Sequence, residues 1–145
     1  IIIEKRKNGE FFNFFHFMID LDQGPCAIKR LRGCGCGNEY VSVTPEGDVY
    51  PCHQFVGKPE WIMGSVFDQS LNTEIKDSFA KTTVYAKPEC KNCWAKFYCS
   101  GGCNANNLEY AGAIKKPYKL ACDLEKKRLE CAIMIKAALA DLGIE

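Results

Sequence analysis

The clearest periodicity in the chain lies near its end, where Cys131, Ile135, Leu139 and Leu142 recur at i, i+4, i+8 and i+11, one face of a helix. This pattern predicts a helix over 123–142, with Asp123 as its cap and Gly143 as its stop. A period of two governs Tyr40-Val41-Ser42-Val43-Thr44 instead. Turn residues follow in Pro45-Glu46-Gly47-Asp48, and Val49-Tyr50 runs back toward Pro51-Cys52, so a β-hairpin is expected that carries Cys52 toward Cys34 and Cys36. Residues 1–8 read as the end of a helix, 61–67 as a short strand or turn, and 72–80 as a short helix capped by Ser70 or Asn72. The block Phe11, Phe12, Phe14, Phe15, Phe17 and Met18 fits neither period. It is expected to be buried, as core or as an interdomain wall, with His16 a satisfied core histidine. Residues 20–37 and 104–118, rich in glycine or polar side chains, read as irregular. The fold class expected is α+β: a small domain with a β-hairpin, short helices, long irregular loops and a C-terminal helix.

Composition narrows the function classes. A chain of 145 residues with net charge +1 gives no reason to expect nucleic acid or an anionic membrane as partner, and no apolar run is long enough to span a bilayer. The opening Ile1-Ile2-Ile3-Glu4 has neither Met nor the order of a secretory leader, so a piece of a longer, cytoplasmic protein is expected. Ten cysteines are the anomaly. Metal or iron-sulfur ligation and a disulfide framework both remain open, and the clustering favours metal.

Four of those thiols form the run Cys90-Lys-Asn-Cys93-Trp-Ala-Lys-Phe-Tyr-Cys99-Ser-Gly-Gly-Cys103, or C-x2-C-x5-C-x3-C. A C-x2-C pair can aim two thiolates at one centre, and Ser100-Gly101-Gly102 lets the backbone turn tightly around something bulky. Structural zinc ordinarily pairs two such knuckles, whereas this run has one. In two-cluster ferredoxins the last cysteine of a close run serves the other cluster, so Cys103 is expected to cross to the hairpin thiols. Trp94, Phe97 and Tyr98 are expected to shield a cluster from water, and His53 to lie beyond the ligands or exposed. Cys131 belongs to the helical stripe. Lys29, Arg30, Arg32, Lys115, Lys116 and Lys119 read as solvated faces, with a docking surface for an anionic peptide segment as the alternative.

Three elements together, Cys34-Gly35-Cys36-Gly37, the stretch from Val43 through Gly47-x4-Cys52 to Gly57, and the run with the later Cys122, resemble the SPASM domain of radical S-adenosylmethionine enzymes. Gly24-Pro25-Cys26 and Lys29-Arg30-Leu31 further resemble thioether-forming maturases of the SCIFF, ranthipeptide and sactipeptide kinds. The resemblance implies two auxiliary 4Fe-4S clusters. One would take Cys34, Cys52 and Cys103, its fourth position open to a substrate cysteine or filled by Cys26, with Cys36 an alternative to Cys34. The other would take Cys90, Cys93, Cys99 and Cys122. It also implies three segments, 1–25 leaving a catalytic barrel, 26–122 binding clusters and 123–145 a terminal helix, and as partners that N-terminal barrel and a cysteine-rich precursor peptide. The motif C-x3-C-x2-C that would hold the cluster cleaving S-adenosylmethionine is not in this sequence, so this piece alone is not expected to generate a radical. The competing reading is a structural zinc module for protein interaction.

Overall fold

A computed structural model describes residues 1–144. Its elements run α1 (Ile2–Lys7), β1 (Ser42–Val43), β2 (Asp48–Tyr50), β3 (Gly64–Ser65), β4 (Ser70–Leu71), α2 (Thr73–Ala80), α3 (Pro88–Lys91), α4 (Lys96–Cys99), α5 (Asn104–Ala111) and α6 (Lys119–Asp141). The four strands form one antiparallel sheet in the order β1-β2-β3-β4, and with the helices they make the fold α+β. The expected hairpin is its first pair, registered Ser42 to Tyr50 and Val43 to Val49. The Thr44 amide bonds the Asp48 carbonyl at 2.9 Å, closing the turn. The segment expected as strand or turn supplies β3, where Val49 faces Gly64.

Helix α2 starts where Asn72 caps it, its side-chain oxygen accepting from the amides of Glu74 and Ile75 at 3.0 and 3.1 Å. That docks Phe79 edge-on against Phe55 and Trp61, with ring centroids 5.5 and 5.7 Å away, while those two rings meet each other tilted at 5.0 Å. Cys36 and Cys52 belong to the same buried cluster as Tyr50, Phe55 and Phe79, so part of the thiol chemistry is built into the core.

Three expectations are corrected. Residues 104–111 are not irregular, for α5 occupies them with Asn104, Ala105 and Asn107 buried, while 112–118 are irregular as expected. Asn107 is polar because it serves two buried carbonyls and an amide, and Asn104 because it bonds the Lys87 ammonium and the Cys36 thiol. Helix α6 begins at Lys119, not Asp123. Asp123 instead pairs with Lys119 at 2.6 Å, and no side chain caps the helix at Tyr118. The aromatic block is not buried: Phe11 and Phe15 are each 76% exposed, Phe14 and Met18 are exposed too, and His16 with them. Only Phe17 of that block is partly covered, in the short turn Phe15–Phe17 that packs on α6. The α6 stripe is half-buried at Cys131, Ile135 and Leu139, while Leu142 is exposed. Among the described residues no helix is long and apolar enough to cross a membrane.

Candidate metal centres

Every cysteine is a free thiol. Around the run, Pro88 opens α3 at a position where its missing N–H costs nothing, and the Cys90 amide bonds the Lys87 carbonyl at 2.9 Å. The Cys93 amide then bonds the Cys90 carbonyl at 3.0 Å, and α4 delivers Cys99 one short turn later. Ser100, Gly101 and Gly102 all adopt left-handed backbone, with φ of 59°, 81° and 73°, and this is the sharp turn that the two glycines were expected to permit. On the far side, the first turns of α6 present Cys122. Cys90, Cys93, Cys99 and Cys122 line one cavity of about 340 Å³, together with Ala95, Gly101 and a rim of lysines and acidic residues. Among the described residues, no three His, Cys, Asp or Glu side chains converge on a position for a single metal ion. The four thiols surround a volume.

Burial governs these donors. It pushes the Cys90 thiol up to about 11, against the Lys87 ammonium, which pulls it down. It also raises Cys99, with the Glu125 carboxylate adding to it, and Cys122. Buried thiols of this kind become thiolates only when a positive centre joins them, and a coordinating metal deprotonates them outright. Four such donors around a cavity fit a polynuclear iron-sulfur cluster.

The hairpin thiols are held differently. The Gly37 amide lies 2.9 Å from both the Tyr40 and the Pro51 carbonyls, which ties the 34–37 loop to the strand leading into Cys52. Cys36 donates to Cys34 and thereby holds the Cys34 thiol low, at about 5, while Cys36 itself is driven up for the same reason. Tyr40 donates its hydroxyl to Cys34 at 3.8 Å, Asn104 its amide to Cys36 at 3.7 Å, and Gln54 its amide to Cys103 at 3.5 Å. Burial raises Cys52, and the neighbouring Cys103 and Cys34 add to that rise. The structure thus brings Cys34, Cys36, Cys52 and Cys103 together. Cys36 stands beside Cys34. Cys26, by contrast, is exposed and lines a separate cavity with Lys29, Tyr98 and Arg128 that contains no other thiol.

His53 is exposed, and so is Trp94, 54% of its surface in water, which removes Trp94 from the expected shield. Phe97 packs edge-on against Tyr85, and Tyr98 borders a cavity of about 620 Å³ that reaches Cys34, Cys99, Cys103 and Cys122. Arg32 is not a free solvated cation, since it pairs with Glu39 at 3.2 Å. Lys116 and Lys119 line the 340 Å³ cavity. Sequence reading missed Tyr40, Gln54, Asn104 and Asn107. A signal existed for the last two, which stand one helical turn apart directly after Cys103.

Comparison with known proteins places an iron-sulfur domain over part of this chain. Residues 34–94 match the family model of SPASM, the iron-sulfur cluster-binding domain. An uncharacterized protein of Archaeoglobus fulgidus is 32% identical over 101 residues, covering 67% of this chain and 24% of that protein. A serine-type anaerobic sulfatase-maturating enzyme of Bacteroides thetaiotaomicron is 31% identical over 90 residues, covering 59% of this chain and 20% of the enzyme. The chain thus spans about a quarter or less of the length of these relatives. Residues 34–94, which hold the hairpin, Cys52 and the first two cysteines of the run, thus belong to the SPASM iron-sulfur cluster-binding domain.

Proposed function

We propose that residues 26–122 are the auxiliary-cluster domain of a radical S-adenosylmethionine peptide maturase and hold two 4Fe-4S clusters, with residues 1–25 leading from its catalytic barrel. The observation that carries this is the cavity of about 340 Å³ lined by Cys90, Cys93, Cys99 and Cys122, with a second thiol group beside it. Those four would hold one cluster, and Cys34, Cys52 and Cys103, with Cys36 adjacent, the other. When bound, such clusters supply one-electron transfer at a potential set by charge, sulfur hydrogen bonds and solvent access. The chain's own part is to set those conditions: Tyr40, Gln54 and Asn104 donate to sulfur, and the aromatic core behind Cys36 and Cys52 keeps water away. The exposed phenylalanines of residues 11–15 suit a wall against the barrel. Anaerobic reconstitution followed by iron and sulfide analysis tests the reading. About eight of each per chain are expected, and stoichiometric zinc without sulfide would overturn it.

The modification proposed is a thioether crosslink in a ribosomally made, cysteine-rich peptide, supported by the resemblance around Gly24-Pro25-Cys26 and Lys29-Arg30-Leu31. On that reading an open iron at the hairpin site takes a substrate thiolate. One observation favours a second reading: Cys36 supplies a fourth protein thiol there, so the cluster closes and the substrate does not ligate it. Adding peptide to the reduced holoprotein separates them. A changed hairpin-cluster EPR signal supports the open site. An unchanged signal that is lost in Cys36→Ala supports the closed one.

A further inference from the structure

Lys87 is 1% exposed, an unusual place for an ammonium group. Its Nζ donates to the Gly101 carbonyl at 2.7 Å and to Asn104 Oδ1 at 3.0 Å, both uncharged. Among the described residues no carboxylate pairs with it. Burial lowers its pKa from the ordinary lysine value, and the charges that oppose this are thiols: Cys90 and Cys99 from the run, then Cys36 and Cys103 from the hairpin group. A buried cation without a counterion is strongly unfavourable, so this one needs the negative charge of thiolates on both sides. The surroundings are shaped to admit it. A Cβ at Gly101 would stand 3.2 Å from Lys87 Cδ and Nζ, and Asn104, while accepting from Lys87, passes its other amide atom to Cys36.

We propose that Lys87 is a buried cation shared by the two cluster sites, raising the reduction potential of both. The inference rests on the two-cluster reading above. A cluster held by four thiolates carries net negative charge, and reduction adds another, so a fixed positive charge in a low-dielectric interior stabilises the reduced form. Because Lys87 faces both groups, its removal acts on both.

The test uses the reconstituted full-length protein. Iron and sulfide are first counted in the wild type, and a count that excludes two clusters overturns the function itself. Given two clusters, Lys87→Gln keeps a donor for Gly101 and Asn104 but removes the charge. In an EPR-monitored redox titration, the ratio of reduced to oxidised cluster at a fixed poise is expected to fall about tenfold at both sites, equivalent to 59 mV for a one-electron couple. Lys87→Arg is expected to restore it. An unchanged ratio at both sites overturns the proposal, and a change at one alone overturns the sharing. If Lys87→Gln loses its clusters, Lys87→Arg decides: retention of both supports charge compensation, and their loss makes the position one of packing and overturns the proposal.

Discussion

The hairpin thiols sit where backbone turns converge on the aromatic core, whereas the run thiols come from three separate helices and the link between the first two, around an open volume. Cys36 and Cys52 are 4% exposed and share a buried cluster with Tyr50, Phe55 and Phe79. The run group depends on the start of α6 facing α3 and α4 across the cavity, because that is where Cys122 lies. The first group is therefore coupled to the stability of the whole domain, and the second to the docking of one helix. Cys103 joins them: it ends the run in sequence and stands with the hairpin thiols in space, beside Gln54.

The strongest way to break this division is Cys103→Ala. Iron is expected to fall from about eight to about four per chain, with the EPR signal of the run cluster retained. Loss of the run signal with the hairpin signal intact would assign Cys103 to the wrong group. A smaller effect with the same polarity is expected from Gly37→Ala. A Cβ there would meet Phe79 Cγ at 2.7 Å, at a residue whose φ is +73°. Overpacking costs about 1–3 kcal/mol and left-handed backbone about 1–2 kcal/mol more. The urea midpoint should drop accordingly, with the hairpin cluster lost first on dilution, and equal loss at both sites would deny the coupling to the core.

Much of the hairpin side was legible in the sequence because local rules dictate it. Period two marks β1, Pro and Gly mark the turn, and Asn72 was one of two expected caps for α2. The run's sharp turn was legible for the same reason, since two adjacent glycines leave few alternatives. What escaped reading is tertiary. Asn104 and Asn107 look like loop residues until buried partners absorb their amides, and Tyr118 starts α6 with no side-chain cap to announce it. The Phe-rich segment was misread because aromatic density says that a surface will be covered, not that this stretch of chain covers it. Lys87 gave no signal at all, for nothing local distinguishes a buried lysine from a solvated one.

Asn107→Ala sharpens the comparison from the other side. This buried side chain donates to the Gly101 and Ile114 carbonyls at 3.2 and 3.4 Å and accepts from the Tyr118 amide at 3.0 Å. It thus pins the run's turn to the start of α6, where the Cys122 amide bonds the Tyr118 carbonyl at 3.1 Å. Stranding those groups costs about 1–3 kcal/mol. The expected outcome is lower iron retention at the run site, with the hairpin signal preserved under the same dialysis. The opposite order would place the weak link in the core.

The mildest perturbation separates scaffold from site. Asn72 accepts two amide hydrogens at the start of α2 and lines neither thiol group, and α2 reaches the hairpin site through Phe79 and Ile75 in the core. Removing such a cap costs about 1 kcal/mol, which in a domain of this size is about 2–4 °C in Tm. If the hairpin site feels the domain's global stability, Asn72→Ala should lower the temperature at which its cluster is released by that same interval. The run cluster should then be released at an unchanged temperature, because Asn72 does not line the run cavity. EPR after stepwise anaerobic heating reads the two sites separately. A parallel shift of both would mean that α6 undocks only when the domain unfolds, and the two regions would then be one cooperative unit.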